Sequence, residues 1–285
     1  MTDSFVGVDV GGTSIRAVRF DAALQPQETS TGPTPTGGGT ETVVAAIAEH
    51  VRAVQGAATA IGVGVPGHVD AVHGVVASAL NLGIDAPVPL GELLAARTGL
   101  PVHVENDVNA AALGAFHVVA PSATASLAYV NVGTGIAAGF VIGGRLWRGA
   151  SGAAGEIGHI PMWSHGPVCV CGQRGCAEAV GSGRALGADG ATGSRLADMA
   201  AVVAWAVQLC VMTLDVDVVA LGGGLTRSPA VVTAVRASLE AREAASPTLV
   251  ATGLARRLTV VPADVPVGSL GAVLALAERH RSGAP

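Results

Sequence analysis

Two glycine turns, Asp9-Val-Gly11-Gly12-Thr13 and Gly133-Thr134-Gly135, each follow an apolar run. Glycine has no Cβ, so its backbone N–H groups can close on phosphate oxygens, and the threonine hydroxyl adds a donor. Asp9 brings a negative charge beside the first turn, suited to indirect contact with Mg²⁺ carried by a nucleotide. An ordinary Gly-Gly hairpin turn has the same composition, so each turn alone is open to both readings. A third cluster, Gly222-Gly223-Gly224, stands where a strand ends. It allows close backbone approach by the adenosine part of a nucleotide, or it is a plain tight turn.

Asp107 is the candidate general base. A hydroxyl attacks a phosphoryl group well only when a proton acceptor lies within hydrogen-bond reach, and one carboxylate suffices to orient it. Glu105-Asn106-Asp107 precedes an Ala-rich helical stretch, so Asn106 or Asp107 also suits the helix N-cap. Cys169-x-Cys171-x₄-Cys176 lies ten residues beyond His159. Three thiolates and one imidazole make a closed tetrahedral site, the pattern of structural rather than catalytic Zn²⁺. A Cys-x-Cys pair is poorly placed to bridge itself, which makes a disulfide the weaker alternative. A loop fixed by zinc would also fix Glu156 and Glu178, two carboxylates able to accept hydrogen bonds from substrate hydroxyls. Cys210, alone on an apolar helix, reads as core packing, and His165 as a loop residue.

The elements that position these groups alternate along the chain. Strands are expected at 5–10, 14–20, 60–65, 101–104, 127–132, 136–142, 216–221 and 258–261. Helices are expected at 41–54, 90–97, 108–118, 197–213, 229–244 and 269–279. The Pro-, Thr- and Gly-rich stretch 25–40 reads as an exposed connection. "FVGVDVGGTSIRAVRF" and "LAYVNVGTGIAAGFVI" share the order strand, polar residue, glycine turn with threonine, strand. This weak repeat implies two related lobes, each presenting a phosphate turn. The alternation is that of an α/β protein with mixed sheets.

Composition narrows the function. A chain of 285 residues, half of them apolar, suits two lobes, and with 3% aromatics the core must be built from Ala, Val, Leu and Ile. There is no lysine: all 16 basic residues are arginine. A Walker-type phosphate loop and a protein-kinase fold both need a lysine on the phosphates, so both are excluded. The net charge of −5 and the lack of a basic stripe argue against nucleic acid as partner. The start shows no secretory pattern, and the longest apolar run, 199–214, is shorter than a span of roughly 20 residues, so no membrane partner is expected. Clustered thiols fit a reducing, cytoplasmic compartment. Together the turns, the carboxylate and the metal loop describe a kinase acting on a small polar substrate. A zinc hydrolase is excluded because Cys₃His leaves no open coordination position.

The chain resembles the ROK family of sugar kinases and related repressors, within the actin-like ATPase superfamily. The resemblance runs from Asp9–Thr13 through Gly62-Val-Gly-Val-Pro-Gly67, Glu105–Asp107, Gly155–His159, the CxCGxxGCxE string at Cys169–Glu178 and Leu221–Gly224 to Ser269-Leu-Gly-Ala272. It implies two actin-like (ribonuclease H-like) lobes, mixed sheets flanked by helices with a cleft between them. One is made of residues 1–112 with 268–285 and the other of 113–267. It implies MgATP held by Asp9, Gly11, Gly12, Thr13, Gly133, Thr134, Gly135, Gly222 and Gly223. It further implies a hexose or amino sugar held by Gly67, Asn81, Asn106, Asp107, Glu156, His159 and Glu178. Asp107 would take the proton of the 6-hydroxyl, and His159 would serve both zinc and sugar. Glucose is the default substrate, N-acetylmannosamine, glucosamine and 3-amino-3-deoxyglucose the alternatives, and a homodimer the expected assembly. A non-catalytic sugar-sensing member is the rival of another class, and the presence of the base and both phosphate turns speaks against it. This chain departs from the family in having Asn81-Leu-Gly-Ile84 without a following Trp, Ala115 where a Glu is usual, and a short segment at 184–196.

Overall fold

The alternation of small and branched residues in the first strands decides how the chain layers. The computed structural model describes residues 4–35, 38–187 and 192–281; residues 188–191 of the short segment lie outside these. The chain separates into two compact units: Met1–His117 with Arg148–Ala153 and Pro266–Pro285, and Val118–Trp147 with Ala154–Val265.

The first unit runs β1 (Ser4–Val10), β2 (Ser14–Phe20), β3 (Pro26–Pro33), α1 (Gly39–Val54), β4 (Ala58–Val65), β5 (His68–Asp70), β6 (Val75–Ser78), α2 (Leu90–Thr98), β7 (Val102–Asn106) and α3 (Asp107–Val119). Its sheet has the order β3-β2-β1-β4-β7, with β5 and β6 forming a separate hairpin. The β3–β2 and β2–β1 pairs are antiparallel, and the β1–β4 and β4–β7 pairs are parallel. β3 corrects the expectation of a loop over 25–40. It is an edge strand of polar, mostly exposed side chains. Its backbone bonds to β2, rather than an apolar face, define it, so hydrophobic periodicity gives no sign of it.

Every second residue of β1 and β4 (Val6, Val8, Val10; Ile61, Val63, Val65) is buried in one core with Val43, Val44, Ile47 and Val51 of α1 and Leu90 and Leu94 of α2. The other register of the same strands carries Gly7, Gly62 and Gly64. A Cβ at Gly7 or Gly62 would overlap the carbonyls of Ser269 and Ala272, so only glycine admits the helix that packs there. A Cβ at Gly64 would lie 3.3 Å from the Asp107 Cα. This glycine stripe seats the start of α3 directly against the sheet.

The second unit runs β8 (Leu127–Val132), β9 (Ile136–Ile142), β10 (Arg145–Trp147), α4 (Glu178–Gly181), α5 (Gly183–Leu186), α6 (Gly193–Leu214), β11 (Val218–Gly222), α7 (Pro229–Ala244), α8 (Pro247–Thr252) and β12 (Leu258–Val260); the last helix, α9 (Val267–Arg281), returns to the first unit. The sheet order β10-β9-β8-β11-β12 reproduces that of the first sheet position for position, in sequence order and in strand direction. The internal repeat seen in the sequence is thus a repeat of topology. The fold is α/β, two mixed five-strand sheets flanked by helices. At 22 residues α6 exceeds the expected helix and is long and apolar enough to cross a bilayer by composition. Its Met199, Val202, Val203, Val207 and Cys210 instead lie in the unit's core with Val130, Val132, Val219 and Leu221, which makes it a core helix.

Candidate active site and metal centre

Register brings the first-unit residues to one edge. Asp9 is opposite Gly64 in the β1–β4 pair, and Gly64 is opposite Glu105 in the β4–β7 pair. The Asp9 turn and the Asn106-Asp107 pair therefore lie at the carboxyl ends of parallel strands, two strand spacings or about 10 Å apart. Ligands of open α/β sheets bind at that edge. The turn is closed by Gly11 N–H donating to the Ser14 carbonyl at 2.8 Å, and the Thr34 hydroxyl donates to the Gly11 carbonyl at 2.6 Å. Gly12 and Thr13 are exposed. Burial raises the Asp9 carboxyl above the usual carboxylate range, against the opposing pull of Arg16, its cross-strand partner.

The helix cap left open by sequence resolves to Asn106. Its Oδ1 accepts from the backbone N–H of Val108 at 3.0 Å and of Asn109 at 3.1 Å, while its Nδ2 donates to the Gly67 carbonyl at 3.1 Å. Asp107 is the first helical residue, and its Oδ1 also accepts from the Val108 N–H, at 2.9 Å. Gly67 has φ +98°, and a Cβ there would overlap the Ser78 carbonyl, so the turn requires glycine. Asn81 is exposed in the short 3₁₀ turn Leu80–Leu82 of the same unit.

In the second unit Asn131 is opposite Gly222 in the β8–β11 pair, so the two glycine turns share an edge as well. A Cβ on Gly133 would come within 3.9 Å of the Gly224 N. The Gly133 carbonyl accepts from Gly183 N–H at 2.7 Å, tying the turn to α5. Glu178, at the start of α4, accepts from the Ile136 N–H at 3.0 Å, and Arg184 Nη1 lies 3.7 Å from its other oxygen. Glu156 is exposed and opens the 3₁₀ turn Ile157–His159, which rests on β9 through Ala138 N–H donating to the Gly155 carbonyl at 2.8 Å. A Cβ on Gly158 would meet the Glu178 Cβ at 3.3 Å. The His159 turn and Glu178 are therefore neighbours.

His159, Cys169, Cys171 and Cys176 offer four ligand atoms all within 4.8 Å of one another. A tetrahedral ion at about 2.3 Å from sulfur and about 2.05 Å from nitrogen requires S···S edges of about 3.8 Å and S···N edges of about 3.6 Å. Cys171 Sγ and Cys176 Sγ stand 3.7 Å apart, and Cys169 Sγ is 3.6 Å from His159 Nδ1. The donor set and its edges fit zinc, whose contribution when bound is to cross-link the loop. All four cysteines are free thiols. Hydrogen bonds from Gln173, first from its backbone N–H, hold the exposed Cys171 down at about 6, while burial pushes Cys176 up to about 12. Nδ1 lies on the sulfur side and His159 Nε2 faces Glu156 Oε2 at 3.8 Å, so the ring that would ligate zinc through one nitrogen meets the carboxylate with the other. His165 is exposed and outside the cluster.

Two groups escaped sequence reasoning. Arg184 beside Glu178 carries no pattern. Glu105 was noticed only as part of a tripeptide, yet it is 1% exposed and holds Arg148; its place in β7 among buried residues is the signal that could have found it.

Two glycine turns at strand ends, a carboxylate at a helix start and a Cys₃His cluster thus stand on duplicated α/β sheets. A match to the ROK family covers residues 5–203, and the chain belongs to that family. It is 41% identical over 186 residues to a glucokinase of Streptomyces coelicolor, a match covering 64% of this chain and 57% of that one. It is 36% identical over 185 residues to an N-acetylmannosamine kinase of Citrobacter koseri, covering 65% and 63%. The matched parts thus span less than two thirds of these curated relatives. Among solved structures, a ROK hexokinase of Thermus thermophilus superposes with TM-score 0.79 at 32% identity over 98% of this chain and 100% of that one. A ROK glucokinase of Streptomyces griseus, solved with glucose and AMPPNP, gives 0.78 at 28% identity over 95% and 98%.

Proposed function

We propose that the protein is an ATP-dependent kinase that phosphorylates the 6-hydroxyl of a hexose, with glucose the first substrate to expect. The observation that carries this reading is the common edge of β1, β4 and β7, where a phosphate-type glycine turn and a helix-initial carboxylate stand about two strand spacings apart. Gly11, Gly12 and Thr13 would hold phosphate oxygens through backbone N–H and hydroxyl groups, with Asp9 facing the nucleotide's Mg²⁺. In the second unit Gly133, Thr134 and Gly135 would serve phosphate, and Gly222 and Gly223 the adenosine. Asp107 would accept the proton of the attacking hydroxyl as the phosphoryl group moves, and Asn106, Gly67 and Asn81 would fix the sugar. Glu156, Glu178 and the His159 Nε2–H would take the remaining hydroxyls, held by a loop that zinc cross-links. The similarity to an N-acetylmannosamine kinase supports amino sugars as the second reading.

The test is a panel of glucose, mannose, N-acetylmannosamine, glucosamine and 3-amino-3-deoxyglucose with MgATP, ADP release being coupled to NADH oxidation and the product located by ³¹P–¹H NMR. Turnover of one member to its 6-phosphate is expected. Sugar binding without ADP release on every member would favour the sugar-sensing reading instead.

A further inference from the structure

We infer that Arg148 is a positioning residue for the Asn106–Asp107 pair, acting through the buried carboxylate of Glu105; this rests on the reading of Asp107 as the base. The Glu105 side chain is 2% exposed. A carboxylate so far from water persists as an acceptor only if its charge is compensated and its lone pairs are filled. Arg148 meets both needs on one oxygen, donating from Nε at 2.9 Å and from Nη2 at 2.6 Å to Oε2. The second oxygen accepts from the backbone N–H of Asn106 at 3.0 Å and the side-chain amide of Asn109 at 3.3 Å. The donors on that oxygen come from the residue before Asp107 and from the first turn of the helix behind it. Asn106 is in turn the cap of α3 and the tie to Gly67.

Arg148 therefore stands at the end of a chain of contacts, Arg148 to Glu105 to Asn106, that sets where Asp107 begins its helix. It is supplied from 43 residues away, by the short stretch Arg148–Ala153 that packs in the first unit although β10 before it belongs to the second. His103 adds a ring nitrogen 3.9 Å from the same Glu105 oxygen, and Asp70 and His68 face the adjoining cavity of about 390 Å³ that Arg148 lines. The space around Arg148 lets a shorter or neutral side chain fit without overpacking.

The experiment compares Arg148→Met, Arg148→Lys and the double variant Arg148→Met/Glu105→Gln, with Asp107→Asn in parallel, by kcat, both KM values and Tm. Arg148→Met should lower kcat about 10–100-fold, the scale of a misplacement of about 1 Å, with KM for ATP unchanged. Lysine should recover part of the loss. The double variant should recover several-fold over the single, because glutamine keeps an acceptor for the Asn106 N–H and removes the uncompensated charge. Wild-type kcat in Arg148→Met, or a loss that Glu105→Gln leaves untouched and that follows Tm, would overturn the inference. If Asp107→Asn itself turns over normally, the base assignment fails and this inference with it. If Asp107→Asn is inactive and Arg148→Met is normal, this inference alone fails.

Discussion

Replacing Asp107 by asparagine separates chemistry from architecture, because the structure assigns the helix cap to the neighbouring residue. Asn106 accepts from Val108 and Asn109 whatever stands at position 107. Asparagine keeps an oxygen for the Val108 N–H now held at 2.9 Å. What folding loses is the negative charge in the first turn of α3, worth about 0.3–1 kcal/mol against the helix dipole. In a chain of this size that is a fall in Tm of about 1–4 °C. What the reaction loses is its proton acceptor, about 10²–10⁴ in kcat, or about 3–5 kcal/mol in activation free energy. Calorimetric sugar binding, a thermal melt and coupled ADP release on the same preparation read the three quantities. The expected result is a folded, sugar-binding protein with kcat down at least a hundredfold. More than a tenth of the wild-type kcat in a folded variant would refute the assignment of Asp107 as the base.

Three further outcomes are expected. Metal analysis of purified protein should find about one zinc per chain, and Cys176→Ser should lose the zinc and lower Tm, as expected when ligand binding is linked to folding; a metal-free protein of unchanged Tm and activity contradicts the cluster assignment. Asp9→Asn should raise Tm at neutral pH while lowering kcat. The Asp9 carboxyl titrates higher folded than unfolded, so its ionised form costs stability above the folded pKa and nothing below the unfolded value of 3.8. The Tm advantage of the variant should accordingly shrink as pH falls toward that value, and an advantage constant with pH would point to some other cause. Gly67→Ala, which forces a side chain into φ +98° against the Ser78 carbonyl, should destabilise by about 1–3 kcal/mol and weaken sugar binding; an unchanged denaturation midpoint argues against the strained turn.

Much of this molecule was legible from residue order because the physics involved is local. Period-two apolar runs bounded by glycine marked β1, β2, β8 and β9, and β3 was lost because an edge strand needs a partner rather than an apolar face. Spacing alone also singled out Cys169, Cys171, Cys176 and His159, since three thiols and an imidazole within 18 residues can close on one ion from a single stretch of chain. Tertiary structure decided what depends on neighbours remote in sequence. Strand pairing put Asp9, Gly64 and Glu105 on one line across the sheet. Close packing of α9 on a glycine stripe showed why Gly7 and Gly62 carry no side chain. Burial turned Glu105 from a residue beside the motif into an anchor held by an arginine 43 positions later. Pairing, packing and charge compensation are properties of proximity, and proximity across tens of residues exists only once the chain has folded.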